Sequence, residues 1–411
     1  MPDLAATVEP SEVGLDPKRL DLITRHFDGY VADGRLPGYL ASVSRAGAVA
    51  WVGMGGYRDR EAEVPMSADT LFRIYSMTKP ITTIAAMRLF EEGRFKLTDE
   101  VASIIGCFEA PKVFAGGTPD RPFCVPATEP IRVWHLMTHT AGLTYGFAWD
   151  HPTDAIYRSA GFEWGLPRGD LAAICDMLSE LPLRFEPGTA WCYSMATDVL
   201  GRVIECITGE PLDAALRRLV LDPLKMDETG FFAPEPAHHR LAQLYIPDGR
   251  RDNLAVAVPE MGAGAKHKPE FLGGGGGLVS TAGDYRRFTA MLINGGELEG
   301  ERIVGPRTIE FMTRNFLPGG ADLESVAQGL FADPDSAGIG FGLGFSVVLD
   351  AADAKVPTTE GSFSWGGAAS TVFWVDPLEA LEVSFFTQLL PSSTHPISEE
   401  LSQIVYASIV D

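Results

Sequence analysis

Patterns typical of β-strands lie at both ends of this 411-residue chain, whereas its middle has helical patterns. Near the start, residues 39–56 predict two strands around a turn, after an amphipathic helix over 16–33. Near the end, residues 370–390 predict two further strands, and residues 395–410 predict a closing helix. Because a strand needs neighbours to satisfy its backbone hydrogen bonds, we expect the two ends to share one sheet.

The middle of the chain, from residue 76 to about 270, has mostly helical patterns separated by loops that contain Pro and Gly. A helix-rich segment between two β-rich ends predicts that one domain is inserted into another. The outer α/β domain would consist of residues 1–75 and 271–411, and the inserted, mainly helical domain of residues 76–270. The predicted fold class is therefore α/β (α+β), with an antiparallel sheet flanked by helices.

The charge and hydropathy of the chain exclude several partners. Its formal net charge is −22, whereas binding to nucleic acid or to an anionic membrane needs a concentration of Lys and Arg. No run approaches the roughly 18 apolar residues of a membrane span. The first 20 residues lack the basic and apolar regions of a signal peptide. We expect a cytoplasmic protein that binds neither nucleic acid nor membrane.

Residues that often bind metals do not form a metal motif here. His135 and His139 form an HxxxH pair, but the HLMTH stretch lacks the glutamate of a metalloprotease helix, so we interpret both as structural. The glycine run 273–277 is not followed by the GK[ST] of a phosphate loop and indicates a tight backbone approach beside a site. We expect the five cysteines to be free thiols that are buried in the fold of a protein from a reducing compartment. They are Cys107, Cys124, Cys175, Cys192 and Cys206.

Residues 75–82 read YSMTKPIT and place a serine three residues before a lysine at the start of an apolar helical pattern. Residues three apart share a helix face, so the Ser76 hydroxyl and the Lys79 amine can meet. Pro80 is tolerated cheaply only in a first helical turn, which puts Ser76 at the helix start. Backbone N–H groups there have no intrahelical acceptor and can stabilise an oxyanion. The stretch is therefore suited to a serine nucleophile with a neighbouring base.

The Ser-x-x-Lys pattern alone is weak evidence, because it arises by chance roughly once in a chain of this length. Ser76 could equally be a helix cap, and Lys79 a solvated first-turn residue. Two later motifs add to it. Tyr193-Ser194 lies in a loop between a PGT turn and a helical pattern, and Trp365-Gly366-Gly367 stands at the predicted start of a strand.

This order of motifs resembles the serine β-lactamase and penicillin-binding-protein superfamily, in its class C branch. The stretches HLMTHTAGL, LDPLKMDETGF and GGGGGLVSTAGDYRRF also look familial, so the resemblance extends from about residue 12 to the end. The Trp-Gly-Gly tripeptide is similar to the one in family VIII carboxylesterases, whose scaffold is shared by transesterases of polyketide tailoring. The resemblance implies a β-lactamase/transpeptidase-like fold with the active site in the cleft between the domains.

The resemblance also implies a role for each motif. Ser76 would be the nucleophile, and Lys79 and Tyr193 would share the base role, with Tyr193 passing a proton to the leaving alcohol. The backbone N–H groups of Ser76 and Ala368 would form the oxyanion hole. The substrate-binding residues would be Trp365, Gly366, Gly367 and Tyr145. No metal or organic cofactor is implied.

Two departures from the class C pattern bear on the substrate. Met195 stands where those enzymes have Asn, and Trp365 where they have Lys. A neutral indole cannot hold a substrate carboxylate by charge, and a Met side chain cannot pair with an amide. We therefore expect a preference for uncharged, apolar acyl groups. The resemblance further implies a serine carboxylesterase that acts on small, short-acyl esters, because this family scaffold has no lid domain. The alternatives are an acyltransferase with the same residues, a β-lactamase or peptidase, and a non-catalytic binding protein on this scaffold.

Overall fold

The computed structural model describes residues 4–163, 168–250, 254–329 and 336–411. The strands in these ranges are β1 (Gly38–Arg45), β2 (Ala48–Asp59), β3 (Val64–Pro65), β4 (Leu71–Arg73), β5 (Lys112–Thr118), β6 (Arg121–Pro126), β7 (Tyr245–Asp248), β8 (Leu254–Ala257), β9 (Val279–Thr281), β10 (Glu297–Leu298), β11 (Glu301–Arg302), β12 (Ile339–Phe341), β13 (Ser346–Val348), β14 (Phe363–Gly367), β15 (Thr371–Asp376) and β16 (Leu381–Phe386). The helices are α1 (Pro17–Ala32), α2 (Thr78–Glu91), α3 (Val133–Met137), α4 (Pro152–Ser159), α5 (Leu171–Ser179), α6 (Ala196–Thr208), α7 (Leu212–Leu216), α8 (Pro259–Gly262), α9 (Ala282–Ile293), α10 (Pro306–Met312), α11 (Leu323–Val326), α12 (Ala351–Ala354) and α13 (Ile397–Tyr406).

Eight strands form a central antiparallel sheet in the order β12-β13-β14-β15-β16-β1-β2-β3. Strand β1 lies directly beside β16, with Leu40 opposite Phe386, so the two ends of the chain share this sheet. The predicted α/β fold, an antiparallel sheet flanked by helices, is confirmed. The domain boundaries, 1–75 with 271–411 and 76–270, remain a prediction.

Helices cover both faces of the central sheet, and β1 and β16 are therefore buried along their whole length. On one face, Val383 and Phe385 pack with Phe27 of α1 and Leu401 of α13. On the other face, Phe386 belongs to the main core, which includes side chains of α2 and α9. Consecutive strand residues point to opposite faces, so a strand covered on both sides is buried at every position.

Two β-hairpins interrupt the middle of the chain, which the sequence patterns predicted as mostly helical. Strand β5 pairs with β6, and β7 pairs with β8. Strand β6 reads RPFCVP, and its two prolines argue against a strand unless that strand lies at an edge. Both strands of a two-stranded hairpin are edges, so the prolines are tolerated here.

The Trp365-Gly366-Gly367 tripeptide ends strand β14, so the prediction that it begins a strand is wrong. Residues 368–370 form the turn into β15. The N–H of Ser370 donates to the carbonyl of Gly367 at 3.0 Å, and Ser370 has a φ of 62°. The apolar run after the tripeptide is therefore the returning strand of a hairpin.

Helix α2 lies in the main core and packs against α6 and α7. Its first turn contains Lys79 and Pro80, both buried. Ser76 lies two residues before the helix, in the short turn that leads into it, which agrees with the predicted position at the helix start. Gly93, with a φ of 69°, follows the helix and allows the chain to turn away. In the described ranges, no helix has both the length and the apolar character needed to cross a membrane.

The five cysteines are free thiols, as predicted. Cys175 and Cys192 are buried, and burial raises the pKa of both thiols. Cys206 is exposed on α6, so the expectation of burial is wrong for this residue. Its position follows the helix periodicity, which places residue 206 on the solvent side.

Candidate active site

The short turn before α2 presents Ser76. Residues Tyr75–Met77 form a 3-10 turn, in which Ser76 is partly buried. Tyr75 has a φ of 41°, a left-handed conformation that costs roughly 1–3 kcal/mol in a residue with a Cβ. Within the described ranges, the backbone N–H of Ser76 has no hydrogen-bond acceptor. The turn thus holds a hydroxyl and an unpaired N–H together, at a cost in backbone strain.

Lys79 lies one helical turn after Ser76 and is only 2% exposed. Its Nζ is 3.2 Å from Ser76 Oγ, donates to the carbonyl of Gly275 at 2.6 Å and donates to the hydroxyl of Tyr145 at 3.2 Å. A neutral amine has two hydrogens and one lone pair, and Gly275 and Tyr145 can take the two hydrogens. The lone pair then faces the proton of Ser76, which is the geometry that a general base needs.

Two tyrosine rings flank Lys79. The ring centroid of Tyr193 is 4.5 Å from the Lys79 Nζ, and its hydroxyl accepts a hydrogen bond of 3.4 Å from the indole of Trp365. Tyr145 instead supplies the hydroxyl that Lys79 contacts. Burial raises the pKa of Tyr145 well above its usual value, and the nearby Tyr193 and Asp198 raise it further. Tyr145 therefore stays protonated at neutral pH.

Strand β14 runs beside the turn that holds Ser76. A Cβ on Gly367 would overlap the carbonyl oxygen of Ile74, so only glycine permits this close approach. Ala368 and Tyr75 pack in the same small apolar cluster. Within the described ranges, the backbone N–H of Ala368 has no acceptor. Two unpaired backbone N–H groups, those of Ser76 and Ala368, therefore belong to segments that pack together.

Trp365 lies two residues before Gly367 and shares its strand face, because Gly366 points the opposite way. The indole is partly buried, with ring-centroid distances of 5.3 Å to Tyr193 and 5.2 Å to Phe341. The Phe341 ring meets the indole edge-on, an arrangement that stabilises aromatic pairs. The indole is thereby held between the phenol of Tyr193 and the ring of Phe341.

The glycine loop 273–277 links Lys79 to a buried carboxylate. The N–H of Gly275 donates to Asp198 Oδ1 at 2.9 Å, while its carbonyl accepts from Lys79. Burial raises the pKa of Asp198, an effect opposed by the charge of Lys79 and by the Gly275 N–H. A Cβ on Gly275 would lie 2.6 Å from Asp198 Oδ2. The loop therefore makes the tight backbone approach that its glycines predict.

His139 packs against Tyr193, with ring centroids 4.8 Å apart, and its Nδ1 lies 3.3 Å from Ser194 Oγ. Burial holds the pKa of His139 well below its usual value, and the charge of Lys79 lowers it further. The imidazole is therefore neutral at neutral pH. His135 accepts a hydrogen bond of 3.0 Å from the backbone of Arg132. In the described part of the chain, no cluster of potential metal ligands occurs.

Not every residue named from the sequence faces this site. The residues that the structure brings together are Ser76, Lys79, Tyr145, Tyr193, Trp365, Gly367 and Ala368. Gly366, which the sequence also predicted as substrate-binding, points to the opposite face of β14. Met195 is only 2% exposed and belongs to the main core, so it offers little surface to a substrate. Asp198 was missed, because an acidic residue in a first helical turn is usually a helix-dipole residue.

Known proteins are similar in sequence to this chain over most of its length. The family model described as Beta-lactamase matches residues 23–404. Protein Rv1367c of Mycobacterium tuberculosis (strain ATCC 25618 / H37Rv) is 39% identical over 341 residues, which are 82% of each chain. Esterase EstB of Burkholderia gladioli is 33% identical over 425 residues, covering 98% of this chain and 99% of EstB.

A solved structure shows the same arrangement of elements. EstCE1, described as a hydrolase with promiscuous acyltransferase activity, matches with a TM-score of 0.77 and 28% sequence identity. The match covers 95% of this chain and 98% of EstCE1. The similarity therefore includes the central sheet as well as the helices on both of its faces.

Proposed function

Because the chain belongs to the β-lactamase family of serine hydrolases, we propose that it hydrolyses short-acyl esters through a covalent acyl-enzyme at Ser76. The predicted resemblance to family VIII carboxylesterases is confirmed by the family match and by EstB. The chain is thus an esterase or acyltransferase on a β-lactamase scaffold. The substrate class and the individual steps below are our proposal.

One observation carries the proposal: Lys79 Nζ lies 3.2 Å from Ser76 Oγ, while Gly275 and Tyr145 accept its other hydrogen bonds. A serine hydroxyl is a weak nucleophile unless a neighbouring base takes its proton. The buried amine of Lys79 lies where such a base is needed, beside the Ser76 hydroxyl. An N-cap serine beside a solvated lysine, the structural alternative, does not fit a lysine that is only 2% exposed.

Acylation begins when neutral Lys79 takes the hydroxyl proton of Ser76 and Oγ bonds to the ester carbonyl carbon. The carbonyl oxygen becomes an oxyanion, which the backbone N–H groups of Ser76 and Ala368 stabilise. The bond to the alcohol oxygen then breaks, and the alcohol leaves with the proton that Lys79 took from Ser76, passed through Tyr193. Water next attacks the acyl carbon and gives a proton to Lys79. The bond between that carbon and Ser76 Oγ breaks, Oγ takes the proton back from Lys79, and the carboxylic acid leaves.

The substrate class follows from the side chains around the nucleophile. Trp365, which stands beside Tyr193, presents an uncharged ring where a β-lactam carboxylate would need a cation. Small, uncharged acyl groups therefore suit the site better than anionic β-lactams. We propose a small-molecule ester as the partner and the cytoplasm as the location, with no role for nucleic acid or membrane.

Labelling and hydrolysis test this proposal. A fluorophosphonate probe is expected to attach to Ser76, as located by mass spectrometry, and the protein to hydrolyse p-nitrophenyl acetate. Ser76→Ala should abolish both, whereas Ser103→Ala, an exposed serine, should leave both unchanged. Labelling at a different residue, or no labelling at all, would contradict the proposal and favour a non-catalytic binding protein. Faster turnover of a β-lactam than of the acetate would refute the substrate class.

Acyl transfer is a second candidate, supported by the match to EstCE1, a hydrolase with promiscuous acyltransferase activity. The same acyl-enzyme would then pass its acyl group to an alcohol in place of water. Analysis of products with and without a short alcohol separates the two activities. A new ester that forms at the expense of free acid would establish transfer, and unchanged acid release would limit the enzyme to hydrolysis.

A further inference from the structure

A cavity of ≈530 Å³ lies where β2, β4 and α8 meet, and none of the residues placed around Ser76 lines it. Pockets that hold small molecules have volumes of roughly 300–1,000 Å³. The volume is therefore sufficient for a compact organic molecule. Its lining includes Arg58, Arg73, His239 and Lys266, which is unusual in a chain with a formal net charge of −22.

Arg73, which is 8% exposed, provides a buried charge in this lining. Its guanidinium donates to the carbonyls of Ala242 and Gly262 and to the side-chain oxygen of Gln388, which are all uncharged. Within the described ranges, no carboxylate pairs with it. These bonds use four of the five guanidinium N–H groups and leave one for a ligand. A buried charge without an opposite partner is costly, and a bound anion would offset that cost.

With Arg73 included, the lining has one more cation than carboxylate. Its charged side chains are Arg58, Arg73 and Lys266 against Asp59 and Glu260, and His238 and His239 lie beside them. Arg58 is 3.6 Å from Asp69, yet its buried Nε has no acceptor in the described part of the chain. His239 and Lys266 are exposed at the edge of the cavity. Arg58, whose Nε has no partner, therefore lines the same cavity as Arg73.

We propose that this cavity binds a small molecule through an oxyanion, either a phosphate or a carboxylate group. Arg73 and Arg58 contact the anion from inside, and Lys266 adds positive charge at the edge. Guanidinium groups suit both anions, because their planar N–H groups match paired oxygens. A purely structural role, in which Arg73 holds the loops at Ala242 and Gly262, would explain its hydrogen bonds to those two carbonyls. It does not explain the unpaired Arg58 Nε or the exposed Lys266 nearby.

Calorimetric titration of the full-length protein with inorganic phosphate, and separately with succinate, tests the proposal and distinguishes the two anions. We expect saturable binding of at least one of them. Arg73→Gln should weaken it roughly tenfold or more, as expected for a charge-assisted hydrogen bond. Lys266→Glu should also weaken it. Lys268→Glu is the matched control, because Lys268 is exposed and pairs with Asp213 at 2.6 Å outside the cavity.

The proposed anion binding does not depend on the esterase reaction at Ser76. Protein labelled at Ser76 by a fluorophosphonate should bind the anion as tightly as unlabelled protein. If Arg73→Gln fails to fold, as judged by circular dichroism, the Lys266→Glu variant decides. No saturable binding of either anion, or equal affinity in the wild-type, Arg73→Gln and Lys266→Glu proteins, overturns the proposal. Equal loss in Lys266→Glu and Lys268→Glu would also overturn it, since it would indicate only a general charge effect.

Discussion

Asp198 acts on Lys79 through a single peptide group. The N–H of Gly275 contacts the carboxylate at 2.9 Å, and the carbonyl of the same residue accepts from Lys79 at 2.6 Å. Tyr145, Tyr193 and His139 are the other titratable side chains around the amine. Asp198 therefore fixes the carbonyl that orients the Lys79 amine.

Asp198→Ala is expected to lower kcat for p-nitrophenyl acetate roughly tenfold or more, because the Gly275 N–H loses its acceptor and the carbonyl of that residue no longer fixes the Lys79 amine. Asp198→Asn keeps an acceptor oxygen and should retain more activity. Asp21→Ala, at an exposed position on α1, is the matched control. An unchanged kcat in Asp198→Ala would mean that this carboxylate does not position Lys79.

Gly367 determines how closely β14 approaches the turn that holds Ser76. Gly367→Ala should lower kcat on the order of 100-fold, because its Cβ would overlap the Ile74 carbonyl and displace the N–H of Ala368 from the oxyanion. Gly106→Ala, where a Cβ meets no atom within 4 Å, should keep full activity. Steady-state kinetics on both variants checks this. A normal kcat in Gly367→Ala would remove Ala368 from the proposed oxyanion hole.

At the scale of elements, the segment between α3 and α4 carries Tyr145 and is held by a buried arginine. Arg184, with its side chain 5% exposed, donates two hydrogen bonds to Asp150, at 2.8 and 2.7 Å. It also lies 3.7 Å from Asp154 and donates to the side chain of Gln328 at 3.0 Å. One guanidinium thus joins the Tyr145 segment to the chain after α11.

The pairing of Asp150 with Arg184 makes the free energy of unfolding depend on pH in the acid range. Hydrogen bonds from Arg184 lower the pKa of Asp150 to about 2. A carboxyl group whose pKa is lowered by folding stabilises the fold above its unfolded pKa of about 4, and this contribution is lost as the pH falls toward 2. Asp150→Asn should therefore unfold at lower urea concentration than the wild type at pH 7. The difference should close between about pH 4 and pH 2.

Urea unfolding followed by tryptophan fluorescence at several pH values measures this effect. Asp120→Asn, in the exposed turn between β5 and β6, is the control and should match the wild type throughout. A constant difference between Asp150→Asn and the wild type across the whole acid range would exclude the titration of Asp150 as its cause.

At the scale of the whole molecule, Phe385 of β16 joins the two ends of the chain. Its ring centroid lies 4.6 Å from Phe27 of α1 and 5.7 Å from Tyr39 of β1, and it is fully buried. Phe385→Ala is expected to lower the free energy of unfolding by about 3–5 kcal/mol, because it removes apolar contacts and leaves a cavity.

Denaturant unfolding measures this change. Leu378→Ala, in the turn between β15 and β16, is the control, because Leu378 is 77% exposed. Its free energy of unfolding should stay within about 0.5 kcal/mol of the wild-type value. Similar losses for the two variants would mean that the contact between the chain ends contributes little.

Local patterns predicted a large share of this structure. The apolar spacing of residues 16–33 indicated a helix, which runs over Pro17–Ala32. Pro80 placed Ser76 correctly before α2, and the order of the motifs indicated the family. These signals are read within one turn of helix or one strand, where a side chain's neighbours in space are also its neighbours in sequence. The hairpin β5–β6 was missed because its prolines resemble a loop.

The sequence by itself determined which residues are able to do chemistry: a serine and a lysine on one face at a helix start, a loop tyrosine and a Trp-Gly-Gly tripeptide. The tertiary structure decided which of them touch. It placed the Tyr145 hydroxyl on Lys79, directed the Tyr193 hydroxyl to Trp365 and set Asp198 behind Gly275. Contacts between residues far apart in the chain depend on how helices and sheet pack, and no local pattern encodes those distances.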